Sequence, residues 1–150
     1  MKEFVRITEV GLRDGLQNQP HPVSTSGKLV LANSLFKAGL RYLETASFVH
    51  PKAVPQMADA AEVSAGISSE RLADCMALVP NLKGYARAKA AGYQRVAVVI
   101  STTDTFNQRN LNMTRAETER VCQEVIQQGR ADGLSVRAYV SGALGCPYDG

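Results

Sequence analysis

The sequence predicts an α/β fold built on a parallel sheet, and three observations predict it. Short β-branched runs alternate with stretches of helical period along the whole chain. The run Val96-Ala97-Val98-Val99-Ile100 is apolar without a break, as in a strand covered on both faces. Each helical stretch is followed by a turn residue and then a new strand, the alternation that places helices outside a parallel sheet.

The elements follow in order. Phe4-Val5-Arg6-Ile7-Thr8-Glu9-Val10 is a β-branched strand, followed by a loop that carries Asp14-Gly15, Pro20 and Pro22. Ser24, Thr25 and Ser26 offer caps for a helix with Leu31, Leu35 and Ala38 on one face, and Gly39 stops it. Leu40 to Thr45 is the second strand. Pro55 suits the first turn of a helix bearing Met57 and Ala61. Leu72 to Val79 is a buried strand, and Pro80-Asn81 opens a helix with Leu82, Tyr85 and Ala86 that Gly92 closes. Arg95 to Ile100 is the fourth strand. Thr114-Arg115-Ala116-Glu117 is a capping box for a helix with Val121, Cys122, Val125 and Ile126, and Ser135 to Val140 is the fifth strand.

The order is therefore βαβαβαβαβ. Right-handed crossovers leave two closures, an open doubly wound sheet or a (β/α)8 barrel. A complete barrel takes ~250 residues. The 150 residues here hold only about five strands and four helices, so a barrel reading makes this the first part of one, with residues 145–150 read as a loop cut open.

Composition narrows the function classes. Hydrophobic residues at 45% and charged residues at 21% are those of a globular chain and argue against disorder. A net charge of +3 is too small and too scattered to expect nucleic acid as a partner. No run reaches the ~20 apolar residues of a membrane helix. Met1-Lys2-Glu3-Phe4 has no apolar core of a signal peptide, and an Arg- and Ser-rich transit peptide is absent too. Cys75, Cys122 and Cys146 are too sparse for a disulfide framework, so a cytoplasmic setting is expected.

Both closures place their chemistry at the carboxyl ends of the strands. There lie Glu9, Arg13, Asp14 and Gln17 after strand 1, Glu44, Thr45 and Ser47 at strand 2, Ser101, Asp104, Asn107 and Asn110 after strand 4, and Ser141 and Cys146 after strand 5. Two readings of the first group stand side by side. Glu9, Asp14 and Glu44 can converge as oxygen donors for a hard divalent ion, with Arg13 beside them for a carboxylate or an oxyanion. Equally, Asp14-Gly15 is an ordinary strand-end turn and Arg13 a solvated side chain. His21 and His50 have no ligand spacing, and Ser26-Gly27-Lys28 lacks the first glycine of a phosphate loop. No G-x-G-x-x-G follows a strand. Lys83, Arg87 and Lys89 read as the solvated face of one helix.

Thr8-Glu9-Val10-Gly11-Leu12-Arg13-Asp14-Gly15-Leu16-Gln17-Asn18 closely resembles the signature of the 3-hydroxy-3-methylglutaryl-CoA lyases. These belong to a metal-dependent barrel superfamily that also holds isopropylmalate and homocitrate synthases and the pyruvate carboxylase carboxyltransferase domain. Glu44 to Val49, Pro51-Lys52, Val54 to Met57, Pro80 to Gly84 and Ala143 to Tyr148 match as well, in the same order. The Val-Gly-Leu before Arg13 resembles the lyase branch, where the synthases tend to carry Thr-Thr-Leu.

The resemblance implies a (β/α)8 TIM barrel, with residues 1–150 the amino-terminal part of a single pyruvate-carboxyltransferase-like domain and no second domain. It implies cleavage of 3-hydroxy-3-methylglutaryl-CoA to acetyl-CoA and acetoacetate, a step of leucine degradation and ketone-body formation. It implies a divalent cation, Mg2+ or Mn2+, with Asp14 as ligand. Arg13 corresponds to the arginine that stabilises the enolate oxygen, and Glu44 to an acidic residue acting near the metal. Glu9 and Gln17 position Arg13 and Asp14, and Ser47 and Asn110 are substrate-binding candidates. The remaining partners implied are an acyl-CoA substrate and, at full length, a second copy in a homodimer.

Departures from the pattern are equally specific. The family's His-x-His pair, the Asn beyond it and its late Gly-Gly-Cys-Pro loop have no match in residues 1–150, and Cys146 corresponds to an earlier Cys-Pro. The isolated chain is therefore expected to be incomplete and inactive. A condensing enzyme or carboxyltransferase of the same superfamily, and an inactive half-barrel, are the alternatives.

Overall fold

The structure is a computed structural model that describes residues 5–150. Its strands are β1 (Thr8–Glu9), β2 (Tyr42–Ser47), β3 (Met76–Leu78), β4 (Arg95–Ser101) and β5 (Ser135–Ser141). All pair in parallel, in the spatial order β1-β2-β3-β4-β5. A doubly wound sheet reverses direction at a switch point. This sheet never does, so it is the arc of a barrel: five parallel strands with helices on the outer face, half of a (β/α)8 cylinder.

The helices are α1 (Thr25–Lys37), α2 (Ala60–Ala65), α3 (Ser69–Leu72), α4 (Leu82–Ala90), α5 (Asp104–Leu111) and α6 (Arg115–Ala131). The starts of α1, α4, α5 and α6 are set by side-chain caps. Ser24 accepts from the Gly27 N–H and Asn81 from that of Gly84. Thr114 and Glu117 form the reciprocal capping box expected for α6. Gly129 lets α6 lie directly on β5, since a Cβ there would meet Val136 at 2.4 Å.

Several elements differ from the sequence expectation. Among the described residues six α-helices stand where four helices were expected, because α3 is four residues long and α5 is mostly polar, so neither shows an apolar stripe. Strand 3 starts at Met76, and Leu72 ends α3. The expected first strand shrinks to Thr8–Glu9, and Phe4 lies outside the described residues. The expected loop after it is a π-helical turn over Gly11–Gly15.

Alternation along the strands builds two apolar layers. Leu43, Ala77, Val79, Val96 and Val98 face the helices and pack with Val63, Tyr85, Ala88 and Val125. Met76, Leu78 and Ala97 face the concave side with Val99 and Tyr139. At β2 the register slips between Glu44 and Ala46, so Glu44 and Ser47 share the concave face. Two polar clusters pin the outer layer. The Tyr93 hydroxyl sits 2.7 Å from Thr45 and 3.0 Å from Ser64, and burial pushes its pKa up to about 12. Lys28, only 3% exposed, reaches from α1 to Asp59 and the Gln56 carbonyl.

Candidate functional site

The site starts from the backbone of the π-helical turn. The Val10 carbonyl accepts from the N–H groups of Arg13, Asp14 and Gly15 at 3.1, 2.8 and 3.3 Å. Glu9 closes the turn from its own side, accepting from the Gly11 N–H at 2.6 Å. A Cβ on Gly11 would fall 2.8 Å from that Glu9 oxygen, so a larger residue would push the Glu9 carboxylate off the turn. The wide turn swings Arg13 inward and leaves Asp14 at the mouth.

Arg13 then meets β2. Its Nε donates to Glu44 Oε1 at 2.8 Å, and its Nη1 to Asp14 Oδ1 at 2.7 Å. The Tyr139 hydroxyl, from β5, donates to Glu44 Oε2 at 2.8 Å. Both oxygens of the fully buried Glu44 are thus occupied by protein donors. Burial and the facing Glu44 raise the Tyr139 pKa above its ordinary value, which keeps it a donor. Three side chains on three separate elements therefore lock one another across the concave face.

A cleft of about 460 Å³ opens above this network, lined in part by Arg13, Asp14, Gln17, Asn110, Tyr139 and Ser141. It sits at the carboxyl ends of the strands, where barrel enzymes place their chemistry. A larger groove of about 570 Å³ lies between α4 and α6 on the outer surface, away from those ends. Gln17 Oε1 and Ser47 Oγ are buried with no hydrogen-bond partner among the described residues.

Of the residues expected from sequence, Arg13, Asp14, Gln17, Glu44 and Asn110 are brought together. Glu9 sits behind the turn, tied to Gly11, with no bond to Arg13. Ser47 shares the concave face but does not line the cleft. Cys146 is held in the loop after β5, 3.1 Å from Thr103 and outside the lining. Burial raises its thiol pKa, but bonds from Thr103 and from the Tyr148 and Asp149 backbone bring it below the ordinary value. His50 serves its own loop, accepting from the Lys52 N–H.

Tyr139 was missed as a site residue, whereas Ser141 stood among the strand-end candidates. The signal for Tyr139 is the period of β5: Arg137, Tyr139 and Ser141 alternate with Val136, Ala138 and Val140, a polar inner face against an apolar outer one.

The donor set can be tested against a divalent cation. Glu44 has no free oxygen, whereas Asp14 is 53% exposed and uses only Oδ1 within the protein. Asp14 Oδ2 thus fits as one oxygen ligand of a hard ion. Among the described residues no group of three His, Cys, Asp or Glu stands ready to hold a metal. The residues fit one corner of a coordination shell, not a whole one.

Comparison with known proteins fits this geometry. A family model described as HMGL-like matches residues 4–147. The 3-hydroxy-3-isohexenylglutaryl-CoA/hydroxy-methylglutaryl-CoA lyase of Pseudomonas aeruginosa is 45% identical over 146 residues, covering 97% of this chain and 49% of that protein. The mitochondrial hydroxymethylglutaryl-CoA lyase of Bos taurus is 46% identical over 146 residues, 97% of this chain and 45% of that one. The solved HMG-CoA lyase of Brucella melitensis superposes with a TM-score of 0.92 at 45% identity, over 99% of this chain and 53% of that one. An HMG-CoA lyase of Acinetobacter baumannii, solved with coenzyme A and 3-methylmalate, gives 0.89 at 36% identity, over 100% of this chain and 50% of that one. The chain spans about half the length of the curated relatives it matches. With the signature turn, the sequential parallel sheet and the match over residues 4–147 all in agreement, the chain belongs to the HMGL-like family.

Proposed function

We propose that this chain carries the amino-terminal share of a hydroxymethylglutaryl-CoA lyase site, acting on 3-hydroxy-3-methylglutaryl-CoA to give acetyl-CoA and acetoacetate. The observation that carries the reading is the Arg13 guanidinium, fixed from below by Glu44 and facing the cleft. In the reaction the C3 hydroxyl loses its proton and becomes the acetoacetate carbonyl. The C2–C3 bond breaks, and its electron pair passes into the acetyl-CoA enolate, which is then protonated at carbon. The developing enolate oxygen needs a positive donor already in place. Arg13 supplies it, and Glu44 and Tyr139 hold it still. Asp14 would contribute one ligand to a divalent cation, Mg2+ or Mn2+, which when bound lowers the cost of negative charge on the substrate oxygens. Gln17 and Asn110 line the cleft for polar contacts with the acyl-CoA.

The reading treats residues 1–150 as part of a single barrel domain. The three unpaired cysteines support a cytoplasmic setting. No helix among the described residues is long and apolar enough to cross a membrane. The experiment is a fusion of this chain to the unmatched half of the Pseudomonas aeruginosa lyase, assayed for acetoacetate release. Turnover in the fusion, and a loss of roughly 100- to 1,000-fold on Arg13→Gln, is expected for a lost oxyanion donor. Full activity in the Arg13→Gln fusion refutes the role given to Arg13.

A further inference from the structure

The cleft sorts its walls by chemistry. Arg13 and Gln17 come from the segment after β1, and Tyr139 and Ser141 from β5, the two ends of the arc. Between them, over β2, β3 and β4, the lining is aliphatic. Leu78 ends β3, Val99 lies on the inner face of β4, Val49 and Val54 follow β2, and Leu111 closes α5. Val140 interrupts the polar group and Asn110 the aliphatic one. Leu78 is 8% exposed, and Val49, Val54, Val99 and Leu111 are partly buried. The inner apolar layer of Met76, Leu78 and Ala97 is thus carried past the strand ends, into the segments that frame the mouth.

In the lyase reading, C3 of the substrate is tetrahedral. It carries a hydroxyl, a carboxymethyl arm, the thioester arm and one alkyl branch. The first three bear oxygens, which lose free energy in a dry site unless a polar group meets them. Polar groups stand at the ends of the arc, so those arms turn there. The branch has no such need and gains by covering aliphatic surface. A methyl covers little of a wall made by five branched aliphatic side chains. Each further methylene taken out of water strengthens binding ~4-fold. None of the five wall residues is aromatic, so no ring stops the branch short.

We propose that Val49, Val54, Leu78, Val99 and Leu111 form a pocket for the C3 branch, so that the site takes 3-hydroxy-3-alkylglutaryl-CoA thioesters with a branch longer than methyl. The inference rests on the lyase reading and names the specificity of that same site. A propyl branch gives acetyl-CoA and 3-oxohexanoate by the same bond changes: the C3 hydroxyl becomes the ketone, and the C2–C3 electron pair ends in the acetyl-CoA enolate. The test uses two fusions, this chain joined to the unmatched half of the Pseudomonas aeruginosa lyase and to that of the Bos taurus lyase. Acetyl-CoA release gives kcat/KM for the methyl and propyl substrates. The propyl value is expected to be no lower than the methyl one in both fusions. Val99→Phe, which fills the pocket, should cut the propyl-to-methyl ratio at least ~10-fold, and Val99→Ala should raise it. Arg120→Gln, on the exposed face of α6, should leave the ratio unchanged, with circular dichroism confirming the fold of each protein. A propyl substrate slower than the methyl one, a preference that follows the partner half, or a ratio unmoved by either Val99 substitution would each overturn the proposal while leaving the lyase reading intact. A folded fusion that cleaves neither substrate would overturn both.

Discussion

Glu44 is buried more deeply than the cation it holds: its side chain is 0% exposed against 13% for Arg13, across a 2.8 Å contact. The two halves of the pair are therefore unequal in what their loss leaves behind. Removing the arginine strands a carboxylate with only the Tyr139 hydroxyl for company. Arg13→Gln should lower stability by about 3 kcal/mol, at the low end for a broken buried pair. The double variant Arg13→Gln/Glu44→Gln should recover part of that loss. Urea denaturation of both variants measures it, and equal stability of the single and double variants would contradict the asymmetry.

Tyr93 joins β2 to α2 through one hydroxyl shared with Thr45 and Ser64. Tyr93→Phe removes the hydroxyl that Thr45 meets, while Ser64 keeps the Ala60 carbonyl, and should cost about 1–3 kcal/mol. The pH dependence has a definite sign. Burial raises the phenol from 10.0 to about 12, so its share of stability is complete below pH 10.0 and fades as pH rises through about 12. The gap between wild type and Tyr93→Phe in thermal melts should narrow over that window.

Asn107 is fully buried and holds the chain after β4, accepting from the Ser101 N–H at 3.0 Å and donating to the Ser101 and Thr103 carbonyls at 2.7 and 2.8 Å. An Asp of the same shape would turn the donor into an acceptor facing two carbonyls. Asn107→Asp should cost more than Asn107→Ala, about 3 against about 2 kcal/mol. Melting curves of the two variants decide the order.

Asp132 ties the end of α6 to α4. The Lys89 bond leads, with Tyr85 and Gln128 adding to it, and together they lower its carboxyl from 3.8 to about 2. A depressed acid stabilises above its unfolded value and loses that contribution as pH falls toward its folded one. Asp132→Asn should therefore melt below wild type at pH 7 and converge with it between about pH 4 and pH 2. A constant offset down to pH 2 would show that the charge is not what matters.

Much of this was legible in the chain itself. The five strands and the caps of α1, α4 and α6 follow from local chemistry that needs no tertiary contact, as Ser24, Asn81 and the Thr114–Glu117 pair show. Period and turn residues are the same in a wound sheet and in a barrel, so the sequential strand order was legible only through the signature motifs that resemble the lyase barrels. The helix α5 was not legible, because its buried residue is a polar Asn107 and not an apolar stripe. At the site, residues sharing one loop, Arg13, Asp14 and Gln17, were identified together. The Glu44–Tyr139 contact, 95 positions apart, depends on the β2 bulge and on inner-face alternation across two strands. Its partner could be named only once the sheet had been laid out.

The unbroken β1-to-β5 order bears on how the molecule is assembled. Every strand joins an edge built by the strand made just before it, so each addition closes a short loop and pays a small entropic toll. Such a sheet can grow stepwise while the ribosome is still at work, without waiting for distant sequence to arrive. The exceptions are the two bonds that thread β5 back toward the start of the chain, Tyr139 to Glu44 and Arg137 to Thr8, which wait for the fifth strand to arrive.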